Sequence, residues 1–217
     1  MKKNDNNQID QQSILIYLLL LFYLVYLICA ILLQIRSNKP PSAGGCVFDV
    51  FTGSLLMIIS LIAIIIATQL YDNILKLLFW LVVSTSAGAL AIDEWFEFHE
   101  YTDRTFGGWW AFGEDDYIKI ALWLSACVGI YILYKVERFS PKILVVFLIG
   151  LLFHSIYLIT DMGDGEFFTL PFPKKVLIWI EEIMELLFVQ SYLAAMLLFH
   201  QKLYLSSKRS PNRSNPT

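Results

Sequence analysis

The chain has 217 residues, of which 57% are hydrophobic and only 16% charged, and its formal net charge is −3. An average soluble domain is about 25% charged, so this composition excludes an ordinary soluble core, and nothing in it points to a nucleic-acid partner. The apolar residues come in long blocks rather than at amphipathic spacing, and a block of about 18 or more can cross hydrocarbon as a helix.

In chain order the blocks run over 14–35, 51–70, 74–92, 118–134, 143–160 and 176–199. Backbone polar groups cannot go unpaired in lipid and the alternation of a barrel is missing, so each block is predicted to be a helix. The expected fold is all-α: one polytopic bundle of six transmembrane helices over residues 13–205, with a polar N-terminal tail (1–12) and a basic, disordered C-terminal tail (206–217). Breakers stand at the joints: Pro40-Pro41 and Gly44-Gly45, Gly107-Gly108, Ser140-Pro141, and Pro171-Phe172-Pro173.

The first block follows Lys2 and Lys3 but is too long for a signal-peptide core and lacks a small-residue cleavage site, so it reads as a retained helix. Lys and Arg set the orientation. Placing both termini in the cytoplasm puts ten basic residues inside and six outside. The expected location is the plasma (inner) membrane of a bacterium. Cys29, Cys46 and Cys127 form no paired motif and read as small buried hydrophobes; Cys46, in an outer loop, is the one that could bridge to another chain.

Acid is distributed unevenly. In this topology only Asp5, Asp10, Asp72 and Glu137 lie inside, and the other fifteen carboxylates, Asp49 among them, lie toward the outer face. Orientation rules do not require this, because acidic residues contribute little to them. Glu114-Asp115-Asp116 reads as a solvated helix cap, and Asp164 and Glu166 as turn residues.

Glu181, Glu182 and Glu185 are different, because apolar sequence continues after them. A rise of about 1.5 Å per residue puts Glu185 roughly 7 to 14 Å below the boundary of a core about 30 Å thick. A carboxylate near the bilayer centre costs on the order of 2.5 to 3.5 kcal/mol on insertion scales, so three in one span need compensation. At the end of the third span Asp93, Glu97, Glu100 and Arg104 form one stripe, with Glu94 beside it and His99 pointing elsewhere. In the fifth span His154 shares a face with Asp161.

Asp, Glu and His at overlapping depths suit a divalent metal ion, with Mn, Fe or Zn favoured over Ca or Mg if imidazole takes part. The competing readings are protonated acids hydrogen-bonded in a bundle, a proton relay, and a third helix that simply emerges into water at Asp93. The step in Glu97-Phe98-His99 is wrong for a ferritin-like site, and HExxH, GxSxG and Walker patterns are missing. Ser84-Thr85-Ser86-Ala87-Gly88-Ala89 offers small residues for close helix packing, and Trp109, Trp110, Phe112, Phe167, Phe168 and Phe172 read as an interfacial belt.

Asp93-Glu94-x4-His99-Glu100 at the end of one span, with Glu181-Glu182-x2-Glu185-Leu186-Leu187 in a later one, resembles small multi-pass bacterial membrane proteins of uncharacterised function. The resemblance covers roughly 74–199. Those proteins often carry Gly after the Glu-Leu-Leu stretch, where this chain has Phe188. It implies a shared intramembrane acidic site and no particular activity.

The leading expectation is therefore a membrane-embedded divalent-cation-binding protein. Its site, near the outer leaflet, would draw on Asp93, Glu94, Glu97, His99, Glu100, His154, Asp161, Glu181, Glu182 and Glu185. Transport or sensing ranks slightly above the alternatives, a metal-dependent membrane enzyme acting on lipid or quinone and an accessory subunit of a membrane complex. The bilayer is the expected partner, with a homo-oligomer or another membrane protein as a second one.

Overall fold

The computed structural model describes residues 3–37, 46–96, 115–137, 140–162 and 170–208. Within them the chain is all-helical: α1 (Lys3–Ser37), α2 (Val47–Gln69), α3 (Ile74–Phe96), α4 (Asp115–Glu137), α5 (Pro141–Met162) and α6 (Lys174–Lys208). Helix α1 runs through residues 3–12, which composition alone leaves as a polar tail.

Five stretches are long and apolar enough to cross a membrane: Tyr17–Ser37, Val47–Gln69, Ile74–Phe96, Pro141–Thr160 and Lys174–Ser206. In α4 the apolar run is shorter, Trp123–Ile132. Leu20, Leu24, Leu32, Leu61, Leu75 and Leu152 all point outward. In water such a surface would drive aggregation; in lipid it is the expected exterior.

Helix α2 is the hub. It packs against α1, α3 and α6, while α5 joins α6 to α4. Among the described residues no Cα of α3 comes within 8 Å of α6, so α2 stands between the helix carrying Asp93 and Glu94 and the one carrying Glu181, Glu182 and Glu185.

The pairings fix the relative directions. Phe48 meets Trp179 edge to face at 5.8 Å and, 21 residues on in both helices, Gln69 meets His200 at 3.3 Å, so α2 and α6 run parallel. Against α3 the direction reverses: Ser60 donates to the carbonyl of Ser84 at 2.8 Å, and the Gly53 backbone lies beside Trp95 and Ala91. Helix α1 is also antiparallel to α2, with Tyr26 donating to the Phe51 carbonyl at 2.9 Å.

Two glycines permit this packing. A Cβ on Gly53 would sit 2.6 Å from Trp95 Nε1, and one on Gly150 would sit 2.7 Å from Tyr192 Cε1 and 3.0 Å from Ser191 Cβ. Ser84 and Ala87 are buried in α3, and Gly88 Cα faces Ser60 of α2, so the small-residue stretch of the third span does form a close interface.

Candidate metal centre

The N-terminus of α2 is built from three parts of the chain. Cys46 is the N-cap, with extended φ of −70° and ψ of 173°. Asp49, three residues on, accepts from the Cys46 backbone N–H at 2.8 Å through Oδ2 and from the Cys46 thiol at 3.1 Å through Oδ1. Gln34 of α1 accepts from the Val47 N–H at 2.9 Å through Oε1. Donors that a helix start leaves unpaired are thus satisfied by side chains where water is scarce.

Glu182 arrives from α6 on the same side. One ligand-type atom each from Cys46, Asp49 and Glu182 lies within 4.8 Å of the others, a spacing that could hold a metal ion. Cys46 is 1% exposed. Burial, together with the neighbouring carboxylates of Glu182 and Asp49, holds its thiol above the ordinary range, so it carries its proton when no metal is bound. Glu182 Oε2 is buried and has no hydrogen-bond partner among the described residues. Thr52, one turn past Asp49 on the face that meets α6, is 1% exposed, and its hydroxyl is likewise without a partner among the described residues.

Further acid surrounds this group. The charges of Asp49, Glu181 and Glu94 act on Glu182, and those of Glu94, Glu182, Asp49 and Glu181 act on Glu185. Glu94 reaches this end because α3 is antiparallel to α2, and Trp95 donates to the Val50 carbonyl at 3.4 Å.

Of the ten residues expected to form the site, Glu182 is the one that joins the close group. Glu94, Glu181 and Glu185 lie in its electrostatic surroundings. Asp93 is on the last turn of α3, half-buried. His154 belongs to another environment: its ring stacks on Phe188 at 4.4 Å, and its Nδ1 lies 3.5 Å from the Tyr192 hydroxyl. Glu97, His99 and Glu100 lie outside the described residues, as does the side chain of Asp161.

Cys46 and Asp49 are the ligand candidates that the sequence did not single out. A Cys46-x-x-Asp49 step directly before an apolar run has the form of a helix N-cap followed by an acidic third position, and that signal was present. Cys46 is buried, in keeping with its reading as a small buried hydrophobe rather than a thiol open to bridging, whereas Cys29 is the exposed cysteine and departs from that reading.

A family model covers residues 14–199, nearly all of the helical bundle. The chain belongs to the DUF8692 family. The description of that family is a domain of unknown function, so membership carries no activity to this DUF8692 chain. No curated protein and no solved structure matches it.

Proposed function

We propose that this DUF8692 chain is a membrane-embedded divalent-cation-binding protein, with Cys46, Asp49 and Glu182 as the ligands and Glu94 and Glu185 as the acidic surroundings. The observation that supports it most is the convergence within 4.8 Å of one ligand atom each from Cys46, Asp49 and Glu182, the last of which also has a carboxylate oxygen buried without a hydrogen-bond partner among the described residues. A buried carboxylate oxygen left unpaired costs several kcal/mol at worst and calls for a proton or a cation.

One thiolate and two carboxylates make a mixed soft and hard donor set. Ca and Mg take oxygen ligands, whereas Zn accepts sulfur and oxygen together, so Zn is the metal of choice. Three protein ligands leave a tetrahedral ion one open position, which suits reversible binding in sensing or transport better than a closed structural site. In the bilayer of a plasma membrane the six helices would be six spans with the termini on the cytoplasmic side, placing the Cys46 end toward the outer leaflet.

The test is zinc binding by the metal-stripped, detergent-purified protein, followed by calorimetry and elemental analysis. One zinc per chain is expected in the wild type and none in Glu182→Ala. Equal zinc content in the two proteins would overturn the assignment.

A further inference from the structure

Buried polar atoms without partners are not scattered through this bundle. Above the middle of the α2–α6 interface they are Glu182 Oε2, Thr52 Oγ1, Tyr23 Oη, and both amide atoms of Gln190. Thr52 and Gln190 are each 1% exposed. Phe48 pairs with Trp179 and Gln69 with His200, which puts Thr52 of α2 level with the turn holding Glu185 and Gln190 level with 57–59. Tyr23 comes from α1, which packs against both helices, one turn deeper than Tyr26 and its bond to Phe51. By that register Glu182 is level with 51, so it and Thr52 share one turn, and Gln190 stands about seven residues, roughly 10 Å, deeper.

Beyond Gln190 the interface changes character. Ile59, Ile62 and Ile66 of α2 and Leu193 and Met196 of α6 are each at most 9% exposed and fill it with hydrocarbon. Ser60, at that depth, is turned to α3 and paired with Ser84. Among the described residues the remaining buried polar atoms without partners are Trp80 Nε1 and Gln201 Oε1, on the side of the Gln69–His200 pair.

A buried amide with neither its donors nor its acceptor paired is destabilising, and a chain surrounded by lipid has no bulk water to offset it. Internal water is the usual remedy in a polar space, each molecule making about three hydrogen bonds. A cluster of such groups at one end of the interface, with Gln190 about two turns below it on the same face, is best explained together.

We propose that a water-filled half-pathway enters at the acidic end, passes Thr52 and Tyr23, and stops at Gln190 against the Ile59–Ile62–Ile66–Leu193–Met196 layer. As an entrance to a cation site it deepens the function proposed above and rests on it, giving that site aqueous access from one end of the bundle only. The hydration itself follows from the polar atoms and does not require metal.

Silver ion, a small hydrophilic cation that attacks thiols, reports on this directly. Cys29, Cys46 and Cys127 are replaced by Ala, single cysteines are introduced as Gln190→Cys and Ile62→Cys, and both proteins are reconstituted in vesicles. After exposure to silver, thiols still titratable in denaturant are counted by mass spectrometry. Gln190→Cys should be blocked at least tenfold faster than Ile62→Cys. An unreactive Gln190→Cys would overturn the half-pathway, and equal rapid reaction at both positions would overturn its closure. Circular dichroism and a thermal melt of each variant establish that the bundle is intact before either reading is made. Zinc binding is measured separately on the wild type, so a dry Gln190 with zinc bound at Cys46 defeats this inference alone, and silver access without zinc binding defeats the metal reading alone.

Discussion

The two ends of the α2–α6 interface are made from the same kinds of helix and differ in almost every other respect. At the Cys46 end, Asp49, Glu182 and Thr52 are packed together with polar atoms left over. At the Gln69 end, Trp80 stacks on Phe199 at 5.5 Å, the polar side chains Gln69 and His200 meet each other across 3.3 Å, and the atoms left over, Trp80 Nε1 and Gln201 Oε1, are uncharged. A pair that satisfies itself needs no ligand. A cluster of acids with a buried unpaired oxygen does, because like charges at short range in a low dielectric cannot all remain ionised without a cation or protons. On the proposed reading, the difference assigns the metal to one end and leaves the other to close the bundle.

The strongest way to break this comparison is to remove Glu182. With one of three ligands gone, zinc affinity in Glu182→Ala should fall by more than about 100-fold, whereas His200→Ala should leave it unchanged. Calorimetric titration of both variants decides it, and a similar loss from His200→Ala would erase the distinction between the ends. Cys46→Ser comes next. The backbone N–H of residue 46 still reaches Asp49 and the cap survives, but a hydroxyl replaces the thiol, so zinc should weaken by about 10- to 100-fold while the melting temperature stays close to wild type.

Proton release gives a third measurement. The Cys46 thiol is held above its usual range, so the metal-free protein binds a proton there that the metal-bound form cannot keep. Binding therefore releases it, and affinity should rise with pH, by up to about tenfold per unit for one proton. In Cys46→Ser that proton is absent and the slope should be shallower. An identical slope in both proteins would mean that the thiol is not a ligand.

Much of the fold was legible because hydrocarbon thickness acts on every helix alike. The block at 51–70 and the helix Val47–Gln69 agree to within a few residues, as do 74–92 and Ile74–Phe96. The site was legible only in part. Three acids interrupting an apolar span drew notice to Glu182, since their burial has a cost that shows in the sequence itself. Asp49 stands alone in the first turn of its helix, ahead of the apolar block at 51–70, and bears no such mark, and Cys46 looks like any small hydrophobe. They join Glu182 only because α2, rather than α3 or α5, lies against that face of α6, and helix neighbours are chosen by packing of Gly53, Gly150 and the side chains around them. His154 illustrates the same point: its depth suited a ligand, but α5 turns it onto Phe188 and Tyr192.

Packing of that second kind can be tested at Gly150. A Cβ there would meet Tyr192 at 2.7 Å, so Gly150→Val should push α5 from α6, with a cost of about 1 to 3 kcal/mol seen as a lower melting temperature in detergent. Zinc affinity at the Cys46 end should change less than threefold, because α5 supplies no ligand. A large loss of binding with an unchanged melt would place α5 in the site after all.

A smaller effect than ligand removal is expected at Gln34, which sets where α2 begins. Its Oε1 accepts from the Val47 N–H, next to the residue whose thiol and amide both reach Asp49. Gln34→Leu keeps the bulk, removes that acceptor, and leaves a buried backbone donor at a place where lipid or protein surrounds it. The cost should be about 1 to 3 kcal/mol of stability, the usual penalty for such a group. Gln34→Glu restores an acceptor and should recover most of it. Zinc affinity should fall by only about threefold to tenfold in Gln34→Leu, since the ligands remain but their cap is less firmly fixed. If Gln34→Leu melted like the wild type and bound zinc equally well, α1 would be a bystander, and the Cys46 end would owe its geometry to α2 and α6 alone.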